Sequence, residues 1–352
     1  MRKKLLAITL IAVLALSLLG ACGEKKDDTA GSDVKTGEIA VLVPSADHGW
    51  TGAVLTYAQE EADSLSGDIT AKVYAATSAK EQSEQIDDLL AQNKPPVGIV
   101  ILPYDNTLES AIVKIAESDI PFVQFDRIID NETVTAKVVA NVKGDNEGIG
   151  KESALRFIQD GIKPGDNVYV IIGDTSSVPQ MRNKGFTDTL KDNDWTDDQI
   201  NAIEYSKATG WSRSEGKQIF IDWVNGKTAE QIGTYKYIFT HDDEIAMGIL
   251  EALASSEIEQ SKKDAFLASI EAIGTSSGLN EMYEVLKGQH ANTAYPDLVA
   301  NFDLFSVTYD PAMIKHAIED MVKFLNGEEV PKDDTISVAV VDETNVNDFQ
   351  GF

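Results

Sequence analysis

Several polar and aromatic side chains in this chain lie in the segments that follow short apolar runs, where strands of a parallel sheet would end. Seven of them could bind a small polar molecule: His48, Trp50, Asp126, Arg127, Arg182, Trp211 and Asp242. An ionised Asp accepts hydroxyl protons and an Arg donates from a planar fork, and such charge-assisted bonds are roughly twice as strong as neutral ones. Trp offers a flat apolar surface. The mixture predicts a site for a polyol ring, which has hydroxyls in its plane and C–H groups on its faces.

Each of these side chains also has an ordinary structural role. Asp126 and Arg127 are adjacent in the sequence and could form a surface ion pair, and a single Trp such as Trp50 or Trp211 is more often a core residue. Asp242 precedes a helix-like apolar segment and could cap it, because acids suit the start of a helix. Their shared position after strand-like runs, in both halves of the chain, favours a binding site.

The segment around Ser276 suggests a different chemistry. Residues 274–278 match the pattern G-x-S-x-G between a predicted strand and a helix, which is the context of a nucleophile elbow. His290 and His316 follow in the chain order of a hydrolase triad. Because so short a pattern is common by chance, a serine hydrolase remains a remote alternative.

The chain lacks the motifs of metal and phosphate chemistry. It contains no H-E-x-x-H segment, no cysteine pair and no phosphate-binding loop. Asp192-Asn193-Asp194 begins like a calcium loop, but the Gly and Glu required at the sixth and twelfth positions are missing. We therefore expect no metal, no cofactor and no catalytic residue.

Short β-branched runs alternate with amphipathic segments, which is typical of α/β architecture with parallel sheets. The predicted strands are 38–43, 69–74, 97–102, 121–125, 137–141, 167–172, 200–205, 236–240, 266–273, 303–309 and 336–341. So many strands favour two sheets, because a single core stops growing at about 250–300 residues. The predicted fold class is α/β, with two doubly wound parallel-sheet domains. Ligands of such sheets bind beyond the carboxyl ends of the strands, which here would face an interdomain cleft.

The first 22 residues predict export and lipidation. A basic start at residues 2–4 precedes an apolar run at residues 5–19, which is typical of a secretory signal and short for a membrane span. The sequence Leu-Gly-Ala-Cys that ends at Cys22 resembles the lipobox of bacterial lipoproteins, in which the chain is cut before a Cys that is then lipidated. Cys22 is also the only cysteine. We expect a signal peptide over residues 1–21 and a membrane anchor at Cys22.

The rest of the mature chain would be soluble and strongly acidic. Residues 22–37 are small and polar, so we expect a disordered tether there. The net charge is −28, and removing the three basic residues of the signal peptide leaves about −31. This excess of carboxylates repels nucleic acid, so we expect no nucleic-acid partner.

Four segments give the chain a resemblance to a known family, and they lie at residues 122–127, 182–186, 239–248 and 273–275. The third segment is the most specific, since the pattern N/D-D-E-x-A-x-G after a strand is typical of that family. From Glu38 to about Val341, the chain resembles the sugar-binding proteins of bacterial uptake systems. These are the ribose/galactose-binding, type I periplasmic binding proteins, which share their fold with the core domain of the lac repressor.

The resemblance implies two lobes joined by a three-segment hinge, with crossings near residues 144, 306–309 and 331–335. The first lobe would comprise residues 38–143 and 309–332, and the second would comprise residues 144–308 and 333–352. The seven side chains named above would contact the ligand from both lobes. Trp50 and Trp211 could then hold the two faces of a sugar ring.

The resemblance also implies a function. It implies an extracytoplasmic lipoprotein on the outer face of the cell membrane that captures a monosaccharide by hinge closure. The protein would deliver the sugar to an ABC permease with its transport ATPase, as a monomer and without enzymatic activity. A sensory lipoprotein of the same fold, for an autoinducer or nucleoside, is the alternative. The family usually has Asp where this chain has Ile273, so the resemblance extends to the sugar class and not to a particular sugar.

Overall fold

The computed structural model describes residues 35–45 and 49–352. The predicted signal peptide, Cys22, most of the predicted tether and His48 lie outside the described residues. The predicted tether was to end at residue 37, but ordered structure begins earlier. The backbone N–H of Lys35 donates to the carbonyl of Leu325 (3.2 Å), and the first strand begins at Gly37. None of the helices in these ranges combines the length and apolar character that a membrane crossing requires.

Twelve strands are formed by the described residues. They are β1 Gly37–Pro44, β2 Ile69–Ala76, β3 Gly98–Ile101, β4 Phe122–Phe125, β5 Ala140–Gly144, β6 Asn167–Ile171, β7 Glu204–Tyr205, β8 Tyr235–Thr240, β9 Ala272–Ser277, β10 Asp303–Thr308, β11 Asp333–Ile336 and β12 Val340–Val341. All residues of β3, β4 and β9 are buried, as expected for strands covered by helices on both faces.

Helices occupy most of the segments between the strands. They are α1 Gly49–Ser64, α2 Ala79–Leu90, α3 Glu109–Glu117, α4 Glu132–Lys137, α5 Asn146–Gln159, α6 Ser177–Lys191, α7 Asp197–Asn201, α8 Arg213–Asn225, α9 Ala229–Ile232, α10 Asp243–Ala254, α11 Gln260–Ser269, α12 Asn280–Leu286, α13 Tyr295–Val299 and α14 Met313–Leu325. Short 3-10 turns lie at Asn106–Leu108 and Val346–Asp348.

The strands form two six-stranded sheets, which confirms the predicted fold class. The first sheet has the order β11-β5-β4-β3-β1-β2, and all of its neighbouring strands are parallel. The second has the order β12-β10-β9-β8-β6-β7, and only β12 is antiparallel to its neighbour. In both sheets the order reverses next to the first strand of the lobe, which is where a ligand crevice is expected in a doubly wound sheet.

The chain passes between the lobes three times. The first crossing follows β5, since α5 packs against α6, β9 and β10 of the second lobe. The second follows β10, since α14 packs against α1, β3, β4 and β5 of the first lobe. The third lies between β11 and β12, which belong to different sheets.

The position predicted for the third crossing was wrong. Residues 333–336 were expected in the second lobe, but they pair in parallel with β5 of the first sheet. The backbone N–H of Asp145 donates to the carbonyl of Ile336 (2.9 Å), and the amide of Asn141 donates to the Asp333 carboxylate (3.2 Å). The apolar run at residues 336–341 is therefore two short strands, one in each sheet.

Three predicted strands were misplaced or wrong in type. Residues 266–269 end helix α11, and the strand starts only at Ala272. The predicted strand 200–205 begins inside α7, whose capping box joins Thr196 and Gln199. The predicted strand 137–141 lies three residues early relative to β5. Short apolar runs do not separate helix from strand by periodicity, which explains these errors.

Two glycines bring α5 and α6 into backbone contact and thereby fix the side chains at the cleft. A Cβ atom on Gly150 would lie 1.9 Å from the carbonyl oxygen of Arg182. A Cβ atom on Gly185 would lie 1.9 Å from the carbonyl oxygen of Glu147. The neighbouring atoms are backbone and cannot turn away, so these positions require glycine for this helix crossing.

We predict that Gly185→Ala destabilises the protein by about 1–3 kcal/mol, the usual cost of overpacking. The matched control is Gly233→Ala, at a helix end with φ −60°, where the new Cβ would meet its nearest atom at 3.4 Å. Urea unfolding followed by circular dichroism measures both. A loss of stability in Gly233→Ala equal to that in Gly185→Ala would contradict the packing argument.

Candidate functional site

A cleft between the lobes brings together residues that are far apart in the sequence. Its walls are formed by Trp50, Asp126, Arg127, Val178, Arg182, Trp211, Asp242 and Tyr309. Six of the seven side chains singled out from the sequence are among these eight, and the seventh, His48, lies outside the described residues. The structure brings these six side chains together in one cleft, and their role in binding stays a prediction.

Asp126 follows β4 and is buried, with 4% of its surface exposed. Its backbone has a left-handed φ of +61°, which Asp tolerates better than most residues. The backbone N–H donates to the carbonyl of Val142 (2.9 Å), and the carboxylate accepts a hydrogen bond from the hydroxyl of Tyr309. Burial raises the pKa of the Asp126 carboxyl, against the opposing effects of Arg127, the Tyr309 hydroxyl and Arg182.

Arg127 extends from the first lobe toward the second. Its guanidinium donates to the carbonyls of Pro103 (3.3 Å) and Tyr104, which lie in the loop after β3. Its other terminal nitrogen lies 3.8 Å from the carboxylate of Asp174 in the second lobe. Arg127 thus forms its ion pair across the cleft, and the alternative considered from the sequence, a surface ion pair with its neighbour Asp126, is not formed among the described residues.

Arg182 projects from α6 and is the most buried charged group of the cleft wall, at 2% exposure. It donates to the Asn146 side-chain oxygen (2.9 Å), to the carbonyl of His241 and to the Ser276 hydroxyl (3.0 Å). These bonds use Nε and Nη1, and Nη2 makes no hydrogen bond with a described residue. Burial lowers the pKa of Arg182, and the nearby Tyr309, Asp242 and Asp126 oppose this.

The two tryptophans of the cleft have different surroundings. The Trp50 ring stacks on Phe125 (centroids 6.1 Å apart), and its N–H donates to the carbonyl of Tyr309 (2.9 Å). Trp211 has a φ of +63°, and its indole N–H donates to Asp174 (2.8 Å). Both rings contribute to the cleft wall, and Trp50 also packs within the first lobe's core.

The guanidinium of Arg182 lies between two aromatic rings. Its central carbon is 5.5 Å from the centre of the Trp211 ring and 4.8 Å from that of Tyr309. Such cation–π contacts are worth about 0.5–2 kcal/mol. In this arrangement an Arg covers a face of Trp211 that the sequence interpretation left for a sugar ring.

Asp242 caps a helix and also lines the cleft. It is the N-cap of α10, and one carboxylate oxygen accepts from the backbone N–H of Glu244 (2.8 Å). The other oxygen makes no hydrogen bond with a described residue, and the side chain lines the cleft. Burial and the adjacent Asp243 raise the pKa of Asp242 well above its ordinary value of 3.8.

Two residues at the crossings complete the site, and the sequence interpretation missed them. The amide of Asn146 donates to the Tyr309 hydroxyl (3.0 Å) and accepts from Arg182. Since Tyr309 donates to Asp126, a continuous hydrogen-bonded chain joins Arg182 of the second lobe to Asp126 of the first. Tyr309 directly follows β10, but the predicted strand 303–309 included it, so the search for residues after strands did not select it.

Ser276 belongs to this site and not to a nucleophile elbow. It lies inside β9, which continues to Ser277, so no strand-to-helix turn presents its hydroxyl. The hydroxyl donates to the carbonyl of His241 (3.0 Å) and accepts from Arg182. His290 hydrogen bonds with Glu281 (3.0 Å).

The departure from the family pattern at Ile273 has no direct effect on the cleft. Ile273 is 1% exposed and packs in the hydrophobic core of the second lobe. Ser276, three residues later on the same strand, is the β9 residue that contacts Arg182.

The side chains nearly fill the closed cleft. The volume open to the centres of water molecules is about 20 Å³, which is room for about one water. An organic ligand of any kind needs more space. Its entry therefore requires the lobes to separate or the cleft side chains to move.

The fold and the sequence identify the family. Residues 39–329 match the family of periplasmic binding protein domains, and the chain belongs to this family. The resemblance inferred from the sequence is thereby confirmed.

Individual relatives agree with this family. The chain is 26% identical over 315 residues to the ribose import binding protein of Bacillus subtilis (strain 168). The matched region covers 83% of this chain and 93% of that protein. It also resembles the crystal structure of a galactofuranose-binding protein, with a TM-score of 0.69, 19% identity and coverage of 88% of this chain and 96% of that one. The fructose-binding periplasmic domain of a hybrid two-component system is similar, with a TM-score of 0.67, 17% identity and coverage of 88% and 92%.

We predict that Asp242→Asn stabilises the protein more at pH 8 than at pH 4. The raised pKa means that folded Asp242 keeps its proton where the unfolded chain has released it. The stability that this proton uptake contributes is full below the unfolded pKa and is lost as the pH rises through the folded pKa. Asn keeps the cap and does not ionise. Urea unfolding of both proteins at the two pH values measures the difference, and a pH-independent difference would contradict it.

Proposed function

We propose that this chain is an extracytoplasmic solute-binding protein that captures a neutral monosaccharide between its lobes. The observation that supports this most directly is the cleft wall, where acceptors and donors from both lobes converge with aromatic rings. A ligand held by Asp126 from one side and by Arg182 from the other binds the closed form better than the open form. Only such differential affinity shifts the equilibrium toward closure.

A neutral sugar fits the charge and chemistry of the cleft. The wall holds two carboxylates, Asp126 and Asp242, and two guanidinium groups, Arg127 and Arg182, so neither sign dominates. The free carboxylate oxygen of Asp242 and Nη2 of Arg182 supply an acceptor and a donor for hydroxyls. Trp50, Trp211 and Tyr309 supply apolar ring surface to the cleft wall, with Arg182 covering one face of Trp211 and one of Tyr309. The relatives named for ribose, galactofuranose and fructose support the same ligand class.

Delivery of the sugar follows from the same family. The closed lobes would dock on an ABC permease that works with a transport ATPase, as the name of the ribose import binding protein suggests for that relative. Cys22 would carry acyl chains and hold the mature, monomeric protein at the outer face of the cell membrane. No catalytic step is part of this proposal.

Sensing is the second candidate function. It is favoured by one observation, the shared fold with a periplasmic domain of a two-component system. Deletion of the chain separates the two functions. Loss of sugar uptake with normal sugar-dependent gene expression supports transport, and the reverse supports sensing.

We predict that Asp126→Ala and Arg182→Ala each weaken sugar binding by about 1.5–3 kcal/mol, the usual effect of losing a hydrogen bond to a charged group. Calorimetric titration of each variant with a panel of pentoses and hexoses measures this. The matched control is Trp223→Phe, because Trp223 stacks on Tyr169 (centroids 4.5 Å apart) in the core of the second lobe. We expect this control to bind like the parent.

Two outcomes would contradict the assignment. If the parent binds no pentose or hexose, the ligand class is wrong. If the parent binds a sugar and both alanine variants bind it with unchanged affinity, the class stands and the cleft is not the site.

We predict that Cys22→Ser releases the protein from the membrane. Without the thiol no acyl chain can be attached, and the acidic body after residue 37 contains no apolar run of membrane-spanning length. Immunoblots of membrane and soluble fractions, together with labelling by a palmitate analogue, measure the change. Persistent membrane attachment and labelling of the Ser variant would refute the proposed anchor.

A further inference from the structure

Asp174 occupies a fixed position at the edge of the cleft, in the loop between β6 and α6 of the second lobe. One carboxylate oxygen accepts from the backbone N–H (2.8 Å) and the hydroxyl (2.6 Å) of Ser176. The other accepts from the indole N–H of Trp211 (2.8 Å). A cleft tryptophan is therefore held in place by a carboxylate that does not line the cleft.

The same carboxylate faces Arg127 of the first lobe. Nη2 of Arg127 lies 3.8 Å from the oxygen that holds Trp211, and 12% and 26% of the Arg127 and Asp174 side chains are exposed. Among the described residues this is the one ion pair that joins the two lobes. The hydrogen bonds of the Arg127 guanidinium go to carbonyls of its own lobe, so its contact with Asp174 is the one of these contacts that separation of the lobes would break.

We propose that Asp174 is a positioning residue that controls closure of the cleft: it pairs with Arg127 only when the lobes are closed, and holds Trp211 in the closed geometry. This rests on the proposed function, in which closure traps a sugar. Because both oxygens of Asp174 are already used by protein donors, its effect on binding comes through the closed state and not through contact with the ligand.

This role has a signature that a direct ligand contact lacks. A neutral sugar carries no charge, so its own hydrogen bonds depend little on ionic strength. A partly exposed ion pair between the lobes is screened by salt, with a Debye length of about 10 Å at 0.1 M and about 3 Å at 1 M. The salt dependence of closure therefore reports on the Arg127–Asp174 pair.

The test compares the parent, Asp174→Asn and the matched control Asp87→Asn. Asp87 forms an exposed ion pair with Lys114 (2.6 Å) inside the first lobe, so its loss should leave closure unchanged. Closure is followed by fluorescence energy transfer between dyes on cysteines introduced by Lys80→Cys in the first lobe and Asp197→Cys in the second. Both positions are largely exposed, at 84% and 81%. D-ribose and D-galactose are titrated at about 20 mM and about 500 mM NaCl.

We expect Asp174→Asn to lower the mean transfer efficiency of the sugar-free protein at low salt. We also expect it to raise the Kd of any sugar that binds roughly two- to fivefold, with most of the difference gone at high salt. Transfer efficiency equal to that of the parent at low salt would overturn the proposal, as would a Kd difference that salt does not change. If neither sugar binds the parent, the proposed ligand class is in doubt, and the sugar-free measurement still decides the role of Asp174.

Discussion

The hydrogen-bonded chain from Asp126 through Tyr309 and Asn146 to Arg182 is the interaction on which the site depends. It begins in the first lobe, passes through two crossings and ends in the second lobe. Each member is buried, so each would leave an unpaired polar group if the chain were interrupted, at a cost of about 1–3 kcal/mol. The hinge therefore fixes the relative positions of Asp126 and Arg182, the groups that would face a ligand from opposite lobes.

The surrounding helices make this chain possible. Asn146 is the first residue of α5, and Arg182 is in the second turn of α6, where glycines let the two backbones touch. The hydrogen bond between these side chains follows from that close crossing. Gly173 has a similar effect at the cleft, since a Cβ atom there would lie 2.3 Å from the indole of Trp211. Small residues far apart in the sequence thus determine where the polar and aromatic groups lie.

Much of this arrangement could be predicted from the sequence, for a physical reason. Buried parallel strands read as apolar runs, and their carboxyl ends meet at one edge, so Asp126, Trp211 and Asp242 could be placed together without coordinates. The sequence could not place residues 333–336, because two short strands in different sheets look like one continuous run. It also could not show that Arg182 covers the face of Trp211. That contact depends on side-chain direction, which strand and helix patterns do not contain.

Two residues of the cleft wall have backbone conformations that their side chains disfavour. Asp126 and Trp211 have left-handed backbones, an arrangement that costs on the order of 1–3 kcal/mol when the residue is not glycine. Each is held there by its neighbours: the N–H of Asp126 bonds to Val142, and the N–H of Trp211 bonds to the Thr209 hydroxyl (3.2 Å). Burial of Asp126 and Asp242 adds a further cost that pairing only partly offsets. A fold that places strained residues and buried carboxylates at one interlobe cleft has its polar groups oriented before a ligand arrives, which reduces the ordering that binding would otherwise require.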